Sequence, residues 1–217
     1  MYGRPIRVAT RSSALSLSQV REAINLLKTV LSEETFEIVS IDSEGDRHKL
    51  APLSSMKRGM FSRRIEQALI EGEVDLAVHS AKDVPSELPD GLLIAGYTKR
   101  LDSRDVLVHK GLESLSELPK GFRLGTSSQR RASQILNIRP DISIVPVRGN
   151  VDTRMLLPGK GVVDGVVLAA SGLIRLGRSN EITCYLSVEE SLPDVGQGAV
   201  MIQCRDKALQ SLLKSAG

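Results

Sequence analysis

Two adjacent arginines lie at the start of a helical pattern in the segment G-T-S-S-Q-R-R, which covers Gly125 to Arg131. An apolar strand pattern ends at Leu124, and Ser128 is a residue type that caps helix N-termini well. A helix N-terminus favours an anion, because it presents unpaired N–H groups and the positive end of a dipole. Arg130 and Arg131 would add two planar forks suited to carboxylates or phosphates. The alternative is two solvated arginines on a surface helix.

Similar basic turns follow two other strand patterns. Arg11 and Ser13 follow the strand pattern that begins at Ile6, and R-G-N-V-D-T-R, from Arg148 to Arg154, follows the strand pattern 142–147. Ligands of α/β proteins bind outside the carboxyl ends of the sheet strands. Three such turns around one cleft predict a ligand with several negative charges.

An acidic turn ends another strand pattern, in D-L-A-V-H-S-A-K-D-V-P from Asp75 to Pro85. Lys82 and Asp83 follow the strand, and an acid placed there could transfer a proton or stabilise a cationic intermediate. The alternative, a turn aspartate that caps its own backbone, is the commoner arrangement for this local pattern. His79, on the strand itself, fits a structural histidine better than a ligand or base.

Strand-like and helix-like patterns alternate along the chain, which is typical of an α/β fold. The predicted strands are 5–10, 35–42, 74–79, 91–97, 105–109, 123–126, 142–147, 163–168 and 199–204. The predicted helices are 13–31, 59–71, 113–118, 128–137, 151–156, 170–176 and 206–215, and segments 43–57 and 182–197 are expected to be loops.

The two halves of the chain open alike, each with a strand, a Thr/Ser cap and an arginine. We therefore predict two similar α/β lobes, with mixed sheets flanked by helices and a cleft between the lobes. Lobe 1 would comprise 1–98 and 195–217, and lobe 2 would comprise 99–194. The glycines of V-G-Q-G-A suit the return crossing. A linear split into two domains, without a return, is the alternative.

The composition narrows the function classes. The 217 residues are 41% hydrophobic and 25% charged, which is ordinary for a soluble globular protein. Only 3% are aromatic and the net charge is +3, which argues against nucleic-acid binding. No apolar run approaches the ~20 residues of a membrane span, and no signal peptide is evident, so we expect a cytoplasmic protein. Cys184 and Cys204 lack metal-ligand spacing, and no metal is expected.

Several motifs, in order through the whole chain, together resemble the porphobilinogen deaminase (hydroxymethylbilane synthase) family. They are R-V-A-T-R-S-S-A-L (7–15), A-V-H-S-A-K-D-V-P (77–85), G-T-S-S-Q-R-R (125–131), R-G-N-V-D-T-R (148–154), A-A-S-G-L-I-R-L-G (169–177) and L-P-D-V-G-Q-G-A-V-M-I-Q-C-R (192–205). The resemblance implies two lobes like those of periplasmic binding proteins. It also implies a transferase of tetrapyrrole and heme biosynthesis that joins porphobilinogen units head to tail into hydroxymethylbilane, releasing ammonia. Each pyrrole carries an acetate and a propionate, so the product is a polyanion.

The resemblance also implies roles for individual residues. Asp83 would be the main catalytic residue, which helps to protonate the leaving amine and then stabilises positive charge on the pyrrole nitrogens. Arg58 and Phe61 would belong to a loop over the active site, although the family usually has lysine in place of Arg58. The residues implied to bind the dipyrromethane cofactor are Lys82, Ser128, Arg130, Arg131, Arg148 and Arg154, and those implied to bind substrate are Arg11, Ser13 and Arg175.

One part of the family's chemistry has no counterpart in this sequence. In the family, the growing chain hangs from a dipyrromethane that a thioether joins to a cysteine of a third, C-terminal domain. This chain ends at Gly217, where that domain would begin, and neither Cys184 nor Cys204 matches the anchor. We therefore expect no covalent dipyrromethane on the 217 residues, and a separate C-terminal domain polypeptide as a candidate partner.

Three functional hypotheses follow. The first is a porphobilinogen deaminase, or its first two domains, completed by a second polypeptide. The second is a non-catalytic, two-lobed binding protein for a pyrrole or another polycarboxylate anion. The third is a regulatory α/β domain that binds an anion such as phosphate. A neighbouring reading frame that encodes the anchor cysteine would favour the first over the second.

Overall fold

The computed structural model describes residues 3–42, 62–111 and 114–214 of the chain. The predicted loop 43–57, with Arg58 and Phe61, lies outside these residues. The chain divides into two compact units, which are Met1–Arg100 with Ala199–Gly217, and Leu101–Gly198. The sequence predicts that lobe 1 ends at residue 98 and resumes at residue 195, whereas the first unit ends at Arg100 and resumes at Ala199.

Within the described residues, the chain forms ten strands, six α-helices and two 3-10 helices. The strands are β1 (Ile6–Thr10), β2 (Phe36–Ser40), β3 (Leu76–Ser80), β4 (Leu93–Tyr97), β5 (Asp105–His109), β6 (Arg123–Gly125), β7 (Ser143–Val145), β8 (Gly165–Ala169), β9 (Cys184–Tyr185) and β10 (Val200–Cys204). The α-helices are α1 (Ala14–Leu27), α2 (Arg63–Ile70), α3 (Gln129–Ile138), α4 (Val151–Met155), α5 (Ala170–Arg175) and α6 (Lys207–Lys214), and the 3-10 helices are Ala81–Asp83 and Ser179–Glu181.

Each unit contains one mixed five-stranded sheet, and the two sheets have equivalent topologies. The strand order is β2-β1-β3-β10-β4 in the first unit and β7-β6-β8-β5-β9 in the second. In each sheet the first three strands are parallel, and the fourth runs antiparallel to both of its neighbours. The expected α/β fold with two similar lobes and mixed sheets is confirmed.

Successive side chains of a strand point to opposite faces of its sheet. In the first unit, apolar side chains on both faces pack against helices. In the first unit, Val8 of β1 packs in the cluster that contains α1 residues such as Val20. The next residue, Ala9, packs in a different cluster, with Ile65 and Leu69 of α2. Burial of both faces explains why these strands are nearly continuous runs of apolar residues.

Two predicted elements differ from the structure. Residues 114–118 form turns rather than the predicted helix 113–118, because so short a helix is costly to nucleate and Pro119 disfavours helical backbone just before it. The predicted loop 182–197 contains the two-residue strand β9, in which Cys184 pairs with Leu107 of β5. This strand forms through a long-range pairing that local sequence does not encode.

Neither cysteine is in a disulfide; Cys204 is buried and Cys184 is half-buried. None of the helices in the described ranges is both long enough and apolar enough to cross a bilayer.

Candidate functional site

In the first unit, the predicted site residues follow the carboxyl ends of two neighbouring parallel strands. Arg11 directly follows β1, and the 3-10 helix Ala81–Asp83 directly follows β3. Because these strand ends share one edge of the sheet, the side chains come together: Arg11 and Asp83 line one pocket. The other residues that line this pocket are Ser16, Gln19, Ser62, Val78, His79 and Ser80.

Hydrogen bonds at the start of α1 fix one wall of this pocket. Ser13 is the N-cap of α1, and its hydroxyl oxygen accepts a hydrogen bond from the backbone N–H of Ser16 over 3.2 Å. Gln19, one turn further, donates a 2.8 Å hydrogen bond from Nε2 to the Ser80 hydroxyl at the end of β3. These bonds tie the polar start of α1 to the strand that leads to Asp83.

Asp83 is exposed at the surface of the 3-10 helix, and its carboxylate accepts no hydrogen bond from the described residues. An aspartate that caps its own turn accepts from the backbone N–H two residues on, but here that residue is Pro85, which has no N–H. The structure therefore gives no support to the alternative in which Asp83 caps its own turn. Lys82, beside it, is half-buried.

His79 lies in the same pocket and is almost completely buried. Within the described part of the chain, its Nε2 atom has no hydrogen-bond partner. Burial lowers the pKa of His79 to about 4, and the nearby charge of Arg11 acts in the same direction, although a hydrogen bond with Gln203 opposes them. The imidazole is therefore neutral at pH 7. The sequence indicated a structural histidine and did not reveal this position.

In the second unit, the basic residues again follow the carboxyl ends of parallel strands. Ser128, Arg130 and Arg131 come after β6, the segment Arg148 to Arg154 comes after β7, and Arg175 comes after β8. Strands β6, β7 and β8 are parallel neighbours, so these residues belong to one edge of this sheet. The edge carries five arginines from the predicted set.

The start of α3 has the predicted cap. Ser128 adopts extended backbone, and its hydroxyl oxygen accepts a 3.4 Å hydrogen bond from the backbone N–H of Arg131. Thr126 Oγ1 accepts from the Ser128 N–H over 3.2 Å, and the Ser127 hydroxyl donates to the Val147 carbonyl over 2.6 Å. The three hydroxyl residues of the motif thus hold the turn in place between β6 and α3.

Both arginines of this motif pair with a buried aspartate, Asp105, at the first position of β5. Arg130 Nη2 lies 2.7 Å from Asp105 Oδ2, and Arg131 Nη2 lies 2.7 Å from Asp105 Oδ1. Burial by itself would raise the pKa of the Asp105 carboxyl. The charge of Arg131 and hydrogen bonds from Arg131, Gln197 and Arg130 outweigh burial and hold the pKa at about 2. The sequence predicts two open forks, whereas both Nη atoms of each guanidinium are already engaged within the protein.

Each of these two arginines nevertheless keeps an unused donor. The Nε atoms of Arg130 and Arg131 are buried and have no hydrogen-bond partner among the described residues. Arg131 is only 5% exposed, so this N–H cannot be satisfied by bulk solvent as it stands. An unsatisfied buried donor is costly unless a water or ligand accepts from it.

The turn after β7 places Arg148 and Arg154 around a glycine. Gly149 has a φ of 105°, a backbone conformation that residues with a side chain rarely adopt. Asn150 caps α4, because its Oδ1 atom accepts a 2.9 Å hydrogen bond from the Thr153 N–H. Arg154 Nε donates to the Gly149 carbonyl over 2.8 Å. This hydrogen bond directs the Arg154 side chain back toward Gly149, at the beginning of the turn.

Arg175 ends α5, after β8, and contacts the predicted return crossing. Its Nη2 atom donates a 3.0 Å hydrogen bond to the carbonyl oxygen of Gly198.

The sequence did not single out Asp105. One signal was present: an aspartate opens the apolar strand D-V-L-V-H, and an acidic residue buried there requires cationic or hydrogen-bonding partners. Arg131 meets Asp105 because β5, which carries Asp105, pairs with β8. Arg131 is held against β8 as well, since its Nη1 atom donates to the Val167 carbonyl over 3.2 Å.

Residues 6–212 match the protein family described as "Porphobilinogen deaminase, dipyromethane cofactor binding domain". A porphobilinogen deaminase of Brevibacillus brevis is 49% identical over 211 residues, which are 96% of this chain and 68% of that protein. A porphobilinogen deaminase of Paenibacillus macerans is 46% identical over 211 residues, which are 95% of this chain and 65% of that protein. The chain thus spans about two thirds of the length of these relatives.

Solved structures with the same fold are far more distant in sequence. A putative methionine-binding lipoprotein of Bacillus subtilis has a TM-score of 0.57 at 13% identity, covering 100% of this chain and 91% of that one. A periplasmic substrate-binding protein of an ABC transporter from Coxiella burnetii has a TM-score of 0.55 at 15% identity, covering 97% and 91%. These similarities support the two-lobed, periplasmic-binding-protein-like fold and carry no information on ligand or activity.

Proposed function

Because the chain belongs to the porphobilinogen deaminase family, we propose that it holds the catalytic and cofactor-binding residues of a transferase. The reaction is the condensation of porphobilinogen units into hydroxymethylbilane with release of ammonia. The observation that carries this proposal is the carboxylate of Asp83, which has no partner in the described ranges and lies in one pocket with Arg11. An exposed carboxylate beside an arginine and a neutral histidine suits proton transfer to a substrate amine.

In this proposal Asp83 moves and holds protons. The protonated Asp83 carboxyl delivers its proton to the aminomethyl nitrogen, the C–N bond breaks, and ammonia leaves. The resulting carboxylate stabilises positive charge on the pyrrole nitrogen and regains a proton from the acceptor pyrrole carbon as the new C–C bond forms there. Arg11 and Ser13, at the end of β1, bind carboxylates of the incoming substrate, and Arg175 does the same from the end of β8. Lys82 contributes a second positive charge beside Asp83.

The edge of the second sheet that carries the five arginines suits a dipyrromethane cofactor, because the cofactor carries acetate and propionate groups. The Arg130 side chain is 24% exposed, and a guanidinium is a strong donor to carboxylate oxygens. The residues that would hold these carboxylates are Lys82, Ser128, Arg130, Arg131, Arg148 and Arg154. When bound, the cofactor supplies the pyrrole to which the first porphobilinogen is joined.

The covalent anchor of the cofactor is proposed to come from outside these 217 residues. Cys204 is buried in β10, and burial raises the pKa of the Cys184 thiol, with the charge of Glu190 acting in the same direction. Neither cysteine therefore offers a reactive thiolate for a thioether. The proposed source of the anchor is the third of the relatives' length that these 217 residues do not span.

The test is to incubate the chain with porphobilinogen, with and without a second polypeptide that carries this remaining third of a relative, and to measure ammonia, hydroxymethylbilane and intact mass. We expect ammonia release only when the second polypeptide is present, and no mass increase of one dipyrromethane on the 217-residue chain. A chain that binds porphobilinogen but releases no ammonia in either arm would contradict the catalytic assignment. A dipyrromethane adduct on this chain would contradict the assignment of the anchor.

A further inference from the structure

We propose that Asp105 is a positioning residue for anion binding, because it fixes the guanidinium groups of Arg130 and Arg131 in the orientation that a carboxylate ligand requires. The proposal rests on the proposed function, in which these two arginines bind the cofactor's carboxylates. It adds a residue that does not itself contact the ligand.

Asp105 is fully buried and accepts hydrogen bonds from two separate segments of the second unit. The first segment is the start of α3, from which Arg130 and Arg131 each donate over 2.7 Å. The second is the return segment 187–198, from which the Ser191 hydroxyl and Gln197 Nε2 each donate over 2.8 Å. Four donors therefore converge on one carboxylate, which holds both arginines against the return segment.

The remaining contacts of the two guanidinium groups complete their immobilisation. Arg131 Nη1 donates to the Val167 carbonyl, and Arg130 Nη1 donates to the Leu192 carbonyl. Because a guanidinium is planar, two fixed nitrogens define the direction of the third, Nε. In both arginines that third nitrogen is the buried donor without a partner in the part of the chain that the structure describes. Asp105 thus fixes the orientation of both guanidinium groups, of which that of Arg130 remains partly exposed.

Asp105 also sets the charge that a ligand meets. Two guanidinium groups and one carboxylate leave one net positive charge at the cluster, rather than two adjacent positive charges in a buried site, which would repel each other. A cluster of this kind selects ligands by directed N–H donors more than by diffuse attraction. If Asp105 only competed with the ligand for the arginines, its removal would strengthen ligand binding instead of weakening it.

The first unit contains a matched control. Asp75 is also a nearly buried aspartate held by two arginines, with Arg4 Nη1 at 2.7 Å and Arg7 Nη2 at 3.1 Å. It lies just before β3, at the opposite end of that strand from Asp83. A substitution of Asp75 therefore removes the same chemistry from a cluster that has no assigned role in binding.

The test measures binding of a free dipyrromethane with two acetate and two propionate groups to the full chain by calorimetry, with the folded fraction measured on the same samples by denaturation. We expect Asp105→Asn and the charge-retaining Asp105→Glu to weaken binding at least tenfold, because Asn replaces one acceptor oxygen with an NH2 donor and Glu displaces both oxygens by one methylene. We expect Asp75→Asn to bind within twofold of the unsubstituted chain, although it too loses stability.

Unchanged or tighter binding by folded Asp105→Asn, or full affinity in Asp105→Glu, would overturn the positioning role. If Asp105→Asn does not fold, Ser191→Ala, which removes one donor and no charge, is expected to weaken binding about threefold, and unchanged binding would overturn the proposal. Absence of binding by the unsubstituted chain would contradict the proposed function itself, and the positioning role with it.

Discussion

Asp105 and Arg131 form an ion pair of 2.7 Å in which the carboxylate is fully buried and the arginine side chain is 7% exposed. Breaking such a pair leaves an uncompensated buried charge, which typically costs about 3–5 kcal/mol. The arginine motif after β6 therefore contributes to the stability of the second unit as well as to its proposed ligand binding.

Arg131→Leu should destabilise the chain more than Arg130→Leu. The Arg131 side chain is 7% exposed and that of Arg130 is 24% exposed, so only the first substitution leaves Asp105 without its best-buried partner. We expect a loss of about 3 kcal/mol in the free energy of unfolding for Arg131→Leu and about 1–2 kcal/mol for Arg130→Leu. Urea denaturation of both variants measures this, and equal losses would contradict the inferred difference.

Asp105 should contribute to acid sensitivity between about pH 4 and pH 2. Its pKa is lowered from 3.8 to about 2 in the folded chain, so the folded state binds fewer protons than the unfolded state in this range. The contribution to stability is complete above about pH 4 and is lost as the pH falls through the folded pKa, a total of roughly 2 kcal/mol. The slope of stability against pH in this window should be smaller in Asp105→Asn, and an unchanged slope would argue against the lowered pKa.

His79 should contribute at higher pH than the carboxylates. Its pKa is lowered from 6.5 to about 4, so the unfolded chain takes up a proton between these values while the folded chain does not. Stability should therefore fall by roughly 3 kcal/mol as the pH falls from about 6.5 to about 4. His79→Gln should lose this part of the pH dependence and keep the part below pH 4. Identical profiles for both proteins above pH 4 would show that His79 does not titrate as inferred.

Gly149→Ala should destabilise the turn between Arg148 and Arg154. The residue has a φ of 105°, and an added Cβ would lie 2.6 Å from Thr153 Cγ2, so Thr153 and the cap of α4 must shift. We expect a loss of at least about 2 kcal/mol. Gly91→Ala is the control, because Gly91 also has a positive φ, of 83°, but nothing lies within 4 Å of its added Cβ, and about 1 kcal/mol is expected. Equal losses would show that contact with Thr153 is unimportant.

The sequence predicted elements best where the pattern was local and periodic. The apolar positions Val20, Ile24 and Leu27 of α1 are buried as their helical spacing requires, and the nine predicted strands all exist. The pairing of β9 with β5 and the absence of a helix at 114–118 depend on long-range contacts and on helix nucleation, which a local pattern does not report.

For the site, the sequence located the turns but not the partners inside them. The basic turns after β1, β6 and β7 follow from strand order and residue type alone. The burial of Arg131 against Asp105 does not, because the two residues are 26 positions apart and meet only through the second sheet. The pocket position of His79 likewise depends on how α1 and β3 meet.

The most direct test of the proposed function is the rate of ammonia release from porphobilinogen by Asp83→Asn, assayed with the C-terminal domain polypeptide. Asp90→Asn is the matched control, because Asp90 is another exposed aspartate of the same unit and has no proposed role. Removing a positioned proton donor typically costs about 100-fold to 10,000-fold in rate. We predict a loss of at least about 100-fold for Asp83→Asn and an unchanged rate for Asp90→Asn, with both chains folded. A rate for Asp83→Asn equal to that of the unsubstituted chain would contradict the assignment of Asp83 as the catalytic residue.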